Sequence, residues 1–450
     1  MFPVRDILLS IVLFGSVPVI LAQPWLGPIL WAWVSMMAPH RLTWAFAYAM
    51  PFAQVIAITT LVALVIARQR KAPPVTSVTT LLALFYVWMC ITSVVALNQM
   101  GDVYTTWVKV TKIQLMLWVT IILLSGRKQI NVLIWTIVLS IGYYGVKGGI
   151  WTLLTGGGER VWGPPGSFIE GNNELALALV VIIPFMYYLR TTTSKSWLRF
   201  GWIFAMLACM ASVLGSHSRG ALLALVAMVL FLGLKSHRPL LMTVVNVAAF
   251  AVLVAFMPEN WTQRMETITT HEDHSAQSRL QTWAMIWNLV QHRPIGAGYD
   301  FWTPEVWAQY ATQPWTLAYS PHSIYFQVLG EHGFLGLALY VGIGIATWRL
   351  ASRMIRMSEK DPEMQWMHTL LRCVQVSLLS FAVGGAFLNL VNFDVPYYLA
   401  AITVLLWRDC RVQSSNAQPA PVASTSGVAG SKGALPATSR MQPYDERNTA

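Results

Sequence analysis

Apolar runs of roughly 16 to 25 residues recur along almost the whole chain, and as α-helix that length matches the hydrocarbon layer of a bilayer, about 30 Å thick. Spanning strands would alternate apolar and polar residues, and no such alternation is present. Composition points the same way. Of 450 residues, 56% are hydrophobic and 11% charged, which leaves too little polar surface to cover a water-soluble body of this size. The expected fold is therefore all-α: a polytopic transmembrane helical bundle.

A net charge of +11 raises the question of nucleic acid. The basic residues, however, sit in short clusters between apolar runs and not on one face among aromatics, so they act as topology signals and no nucleic-acid partner is expected. The clusters are Arg68, Arg70 and Lys71; Arg127 and Lys128; Arg190, Lys195 and Arg199; Lys235 and Arg238; Arg349, Arg353, Arg356 and Lys360; Arg408 and Arg411. Cytoplasmic loops carry the excess of Lys and Arg, and two apolar runs separate each cluster from the next, so the intervening loops fall outside.

The spans drawn on this basis are 44–67, 76–97, 107–125, 129–154, 173–189, 198–215, 219–234, 240–257, 323–348, 369–391 and 395–407. The run Asp6 to Ala22 has signal-peptide length, but Ile20 and Ala22 make a poor cleavage site, so an uncleaved anchor is expected. With Arg5 inside, residues 7–39, broken by Pro24 and Pro28, count as a single crossing, giving about twelve in all. Cys90, Cys209, Cys373 and Cys410 stand at no metal-ligand spacing and suggest neither a zinc site nor a disulfide framework.

Three outer segments stand out: 155–172, 216–219 and 258–321. Within the last, residues 278–291 space Leu280, Trp283, Trp287 and Leu289 as on a helix, which suggests a short amphipathic helix lying over the membrane surface. The chain divides into an amino-terminal membrane region (1–130), a membrane core (131–410) that includes the long loop, and a tail (411–450) whose Ala, Pro, Ser, Thr and Gly predict disorder on the cytoplasmic side.

External arginines are exceptions to the charge rule, and Arg160, Arg219 and Arg279 are three of them. Guanidinium groups offer paired planar donors to phosphate oxygens, so arginines gathered on one side would clamp a diphosphate, whereas singly each would meet a lipid headgroup or a loop carboxylate. Lys147 lies about two turns inside a span, where an ionisable residue is a functional candidate unless it merely snorkels outward.

His322, after Pro321 at the outer mouth of a span, is a candidate general base, or else an interfacial cap. Glu331 lies roughly 13 Å deeper at the helical rise and is a weak candidate for contact with glycan or acceptor, and Gly330, Gly333 and Gly336 would let a neighbouring helix approach. Glu170, Asn172, Asn173 and Glu174 crowd the start of another span, more polar groups than capping needs, and could contact sugar hydroxyls or an acceptor. Asn389, Asn392 and Asp394 turn the last hairpin and read as structural.

SHSRGALLAL, then Ser278-Arg279 with Trp283 and Trp287 before RPIGAGYDFW, then PHS and GEHGFLG, resemble in order the core of the O-antigen ligase and polymerase superfamily. SMMAPHRLTWAFAYAMPFAQ, KIQLM and GYYGVKGGIWTLLTGGGERVWGPPGSFIEGNNELALAL are similar to the O-glycosylation ligases that accompany exosortase systems. The resemblance implies a multi-pass protein of the bacterial inner membrane with a periplasmic active site; Arg5 and the charge pattern put both termini in the cytoplasm. It implies metal-independent, cofactor-free transfer of a glycan from undecaprenyl pyrophosphate to a protein or lipid A core acceptor. On this sequence Arg219 and Arg279 would hold the diphosphate, with Arg160 and Lys147 as weaker candidates, and His322 would activate the acceptor for inverting displacement. Ser323 departs from the asparagine of many relatives, which leaves the finer acceptor contacts open. A polymerase would share the donor and use a second lipid-linked glycan as acceptor. A flippase or transporter could use Lys147 and Glu331, but no internal repeat supports it.

Overall fold

Where the apolar runs stop, short polar or proline-containing segments fix the helix ends. Thr76, after Pro73-Pro74, accepts the Thr79 N–H while the Thr79 hydroxyl accepts the Thr76 N–H, a reciprocal cap that starts a helix. The computed structural model describes residues 3–67, 70–234, 274–359 and 361–417, with scattered positions between 240 and 251. In chain order its helices are α1 (Val4–Ala22), α2 (Leu26–Met37), α3 (Phe52–Ile66), α4 (Ser77–Val94), α5 (Met100–Leu123), α6 (Gly126–Leu154) and α7 (Asn172–Thr192). They continue as α8 (Ser196–Gly215), α9 (Arg219–Leu234), α10 (His274–His292), α11 (Pro304–Tyr310), α12 (Ile324–Ser358), α13 (Gln365–Gly385) and α14 (Asp394–Ala417).

No strand occurs among the described residues, and eight of the described helices are long and apolar enough to cross a membrane. The chain is a polytopic helical membrane protein. The helices up to Cys410 belong to one compact unit; of the second, Arg411–Ala450, only the end of α14 is described. Most of the expected span 240–257, the long loop up to residue 273, Arg68, Lys235, Arg238, Lys360 and the tail from residue 418 lie outside the described residues.

α7 occupies the middle of the bundle, its side chains from Leu175 to Phe185 all buried. α6 packs on α8 at very short range because Gly145, Gly148 and Gly149 face Cys209, Ser212 and the Ala208 carbonyl, where a Cβ would collide. The GYYGVKGG run thus serves first as a helix-packing surface. At one end of the bundle Arg408 donates to the Ile121 carbonyl at 2.6 Å and also to Leu124, and Arg127 lies 5.0 Å from the Trp366 ring. The opposite end, the site end, carries the loops that hold the candidate site.

The amino-terminal region differs from the expected single broken crossing. Pro24 lies in a turn between two helices, α1 and α2, and both pack on α3. The turn lies beside Arg70, Lys71 and Ser125, at the basic end. Arg5 stacks over Trp44 at 4.2 Å, and the buried Asp6 carboxylate accepts the Ala45 and Ala47 N–H groups at 3.1 and 2.9 Å. The start of α1 is therefore beside the loop that follows α2, not one crossing away from it. α2 ends toward the site end, where Ser35 donates to Asp394 at 2.6 Å.

Candidate functional site

The site end is organised around two glycines that close α13. Gly384 faces Leu177 of α7 and Ala224 of α9, and Gly385 faces Ile324 of α12, each at distances no side chain would tolerate. One turn of α13 thereby brings together the beginnings of three helices: α7 with Asn172 and Glu174, α9 with Arg219, and α12 just after His322. The turn between α8 and α9, SHSRG, is tied to the same place. Asn172 is buried and donates its amide to the Ser216 carbonyl at 2.7 Å. His217, with φ 59°, contacts the Gly157 carbonyl at 2.9 Å, and Val161 N–H bonds Gly215.

The long loop forms a second small core. Met285, Ile286, Leu289 and Val290 of α10 are buried against Phe301, Val306, Trp307 and Tyr310. This is not the face that the spacing picked out: Leu280 and Trp287 are exposed, and Leu289 alone of the four expected residues lies in that core. α11 was not foreseen at all. Trp283 takes another role: its indole N–H donates to the Pro321 carbonyl at 2.8 Å, and its ring stacks on Phe326 of α12, centroids 4.8 Å apart and 3° from parallel. That pair fixes α10, and with it Arg279 one turn earlier, against the segment carrying His322.

His322 has φ 46°, a left-handed conformation that a non-glycine residue adopts at a cost of order 1–3 kcal/mol and that clusters at functional sites. Its Nε2 lies 3.2 Å from the Ser320 hydroxyl. Burial, and then the neighbouring Arg279 charge, hold the imidazole below the ordinary histidine range, so the ring is neutral and basic at neutral pH. Arg279 also acts electrostatically on the Glu174 carboxylate in the first turn of α7. The structure thus gathers an imidazole, a guanidinium and a carboxylate from α12, α10 and α7.

Other expected site residues go elsewhere. Glu170 is exposed and turns back to accept the Gly166 N–H at 2.8 Å, so Glu174, and not Glu170, is the acid brought to Arg279; Asn173 is half-buried at the same helix start. Arg160 is exposed on its loop. Lys147 faces outward from α6 into an apolar groove between α6, α7 and α8, on other elements than Arg219 and Arg279.

Glu331 is fully buried and does not face the site: Gln327 donates to it at 3.1 Å and His332 Nε2 lies 3.6 Å away. Of the glycines around it, Gly330 and Gly333 pack against an extended segment, whereas Gly336 faces Trp88 of the neighbouring helix α4, whose indole donates to the His332 carbonyl at 2.7 Å. Ala297 and Gly298 N–H groups bond the Gly330 and Glu331 carbonyls at 2.7 and 2.9 Å, and Phe334 N–H bonds Pro294 at 3.1 Å. Gly333, with φ 66°, breaks α12 at this crossing. Asp394, expected to be structural, does hold Ser35.

Fold and site together define a polytopic helical membrane protein with a histidine–arginine constellation under loops at one end of the bundle. Residues 202–341 match the family described as O-antigen ligase, a segment that contains Arg219, Arg279, His322 and Glu331. Residues 4–194 match a family of unknown function (DUF5935). No curated protein matches the chain. The O-antigen ligase match supports that superfamily and a membrane glycan ligase or polymerase type of function, which implies a lipid-linked glycan donor and an acceptor.

Proposed function

We propose that this protein is a glycan ligase of the inner membrane that transfers a glycan from undecaprenyl pyrophosphate to an acceptor hydroxyl, on a protein or a lipid A core, at the periplasmic face. The observation that carries the reading is that the Trp283 contacts to Pro321 and Phe326 hold α10 against the segment carrying His322, with Arg279 in electrostatic reach of both His322 and Glu174, at the end of the bundle away from the basic loops. The neutral imidazole of His322 removes the acceptor proton as its oxygen attacks the anomeric carbon. The bond from that carbon to the diphosphate oxygen breaks, and the configuration inverts. Diphosphate is a good leaving group that needs no proton; it needs positive charge where negative charge grows. Arg279 supplies it from the loop helix and Arg219 from the start of α9, both guanidinium groups suited to paired phosphate oxygens. Glu174 holds Arg279 oriented before the donor arrives. We read the amino-terminal motifs as those of the exosortase-associated O-glycosylation ligases within the superfamily.

Reconstituted full-length protein, given undecaprenyl-diphosphate-linked glycan and candidate acceptors, is expected to transfer glycan, in chelator as well. His322→Ala is expected to lower transfer by about 10²–10⁴-fold, the usual weight of a positioned general base, and Arg219→Ala and Arg279→Ala are expected to raise the donor requirement. Transfer undiminished in folded His322→Ala protein would remove the histidine from the mechanism. Translocation of the donor lipid without transfer would replace the ligase with a flippase.

A further inference from the structure

Lys147 stands where a lysine gains nothing from the protein around it. α6 presents an outward stripe of Leu139, Tyr143, Ile150 and Leu154, which are 55%, 42%, 42% and 79% exposed, and Lys147 follows Tyr143 by one turn on that face. It lies seven residues before the end of α6, roughly 10 Å along the axis. Among the described residues no ion pair involves it. An ammonium on a lipid-facing stripe at that depth is costly unless an anion meets it, and from the lipid side the anion on offer is a phosphate.

The same side chain borders a cavity of about 530 Å³ whose other walls include Val138, Leu139, Gly142, Met186 and Trp202. Gly142 lets α6 lie close against Met186 in the floor of the groove: a Cβ there would lie 2.9 Å from Met186 Cε. Gly145, Gly148 and Gly149 turn the other way, into the α8 interface, so the groove belongs to the exterior of the bundle.

We propose that this groove binds an acidic glycerophospholipid, one acyl chain along the apolar walls and the phosphodiester on Lys147 with Tyr143 alongside. Charge distinguishes this ligand from the glycan donor. A phosphodiester is a monoanion, matched by one ammonium acting as a point charge, whereas a diphosphate carries more charge and suits the forked donors of arginine. Those arginines, Arg219 and Arg279, stand on α9 and α10. The site therefore does not depend on the proposed transfer reaction, and its test needs no glycan.

Full-length protein in detergent is incubated with equimolar phosphatidylglycerol and phosphatidylcholine, and the retained lipids are counted by native mass spectrometry. The native chain is expected to favour phosphatidylglycerol by about fivefold, the weight of one lysine against anionic lipid. Lys147→Gln is expected to abolish that preference and Lys147→Arg to keep it. Leu139→Trp, which fills the groove and leaves the charge, is expected to lower retention of both lipids. An unchanged preference in Lys147→Gln overturns the proposal. So does a third arm in which polyprenyl diphosphate displaces phosphatidylglycerol from the native protein in a Lys147-dependent way, which would return the lysine to the donor.

Discussion

His322 and Arg279 are best understood as a coupled pair, because the charge that would hold a diphosphate also tunes the base. A protonated imidazole cannot accept the acceptor's proton, so activity is lost as pH falls through the folded-state pKa of His322. Burial and Arg279 both lower that pKa. The acid limb of the kcat/KM profile is therefore expected below the ordinary histidine range, reporting the free enzyme. Arg279→Gln removes one of the two lowering influences, so its acid limb should move toward higher pH while overall activity falls. An acid limb that stays in place in this variant would separate the arginine from the histidine. The resemblance puts His322 and Arg279 in one site, but their electrostatic coupling and the part of Glu174 have no signal in the sequence, where 43 and 105 positions separate Arg279 from its two neighbours. The left-handed backbone at His322 likewise has no signal, since only a glycine or asparagine would have advertised it.

At the scale of elements, glycine positions were legible and their partners were not. Three-residue spacing of Gly330, Gly333 and Gly336 suggested an approaching helix. At Gly330 and Gly333 what approaches is the extended RPIGAGYD segment, which takes hydrogen-bonding positions that the break at Gly333 leaves open, while a helix, α4, does approach at Gly336. Arg293 secures that segment from the other side, bonding Gly296 at 2.7 Å and also the Val95 carbonyl. Helical periodicity cannot report such a break, because a single residue interrupts it. Gly333→Ala would place a Cβ against the Pro294 carbonyl in a left-handed conformation, so it is expected to destabilise the crossing by about 1–3 kcal/mol or more. Limited proteolysis should then cut within 293–301 sooner than in the native chain, with the rest of the bundle intact. Equal protection would show that the loop is held by its own small core and not by the crossing. Gly384 and Gly385 carry a comparable role with less warning, since adjacent glycines near a helix end read most simply as a stop.

For the whole molecule, length and hydropathy locate the spanning helices because each must satisfy the same bilayer thickness, closely for α4 and α6 to α9, whereas α3 begins later and α5 earlier than drawn and α12 and α14 run on past their expected ends. They failed at the amino terminus, where a short turn around Pro24 separates two helices and was taken for an interruption within one. α2 is only 12 residues long and largely buried, so it shows neither the length nor the lipid-facing composition that betrays a span. Charge could not correct the count, because Arg5 is the lone basic residue before Arg41 and it stacks on Trp44 where the loop rule would place it on the far side. The hairpin makes a specific statement about sidedness: residues 4, 44 and 162 share one side of the membrane and residue 75 lies on the other. Single cysteines at these exposed positions, in a chain whose Cys90, Cys209, Cys373 and Cys410 are replaced, test it with a membrane-impermeant thiol reagent on sealed vesicles of one orientation. Val4→Cys, Trp44→Cys and Trp162→Cys are expected to label together, and Val75→Cys only when the vesicles are sealed the other way or opened. Labelling of Val4→Cys with Val75→Cys would restore a single crossing before residue 44 and move the start of α1 to the basic end. The expected outcome instead puts Arg5 and Asp6 on the same side as Arg160, and makes the α1–α2 hairpin part of the scaffold beneath the loop that carries it.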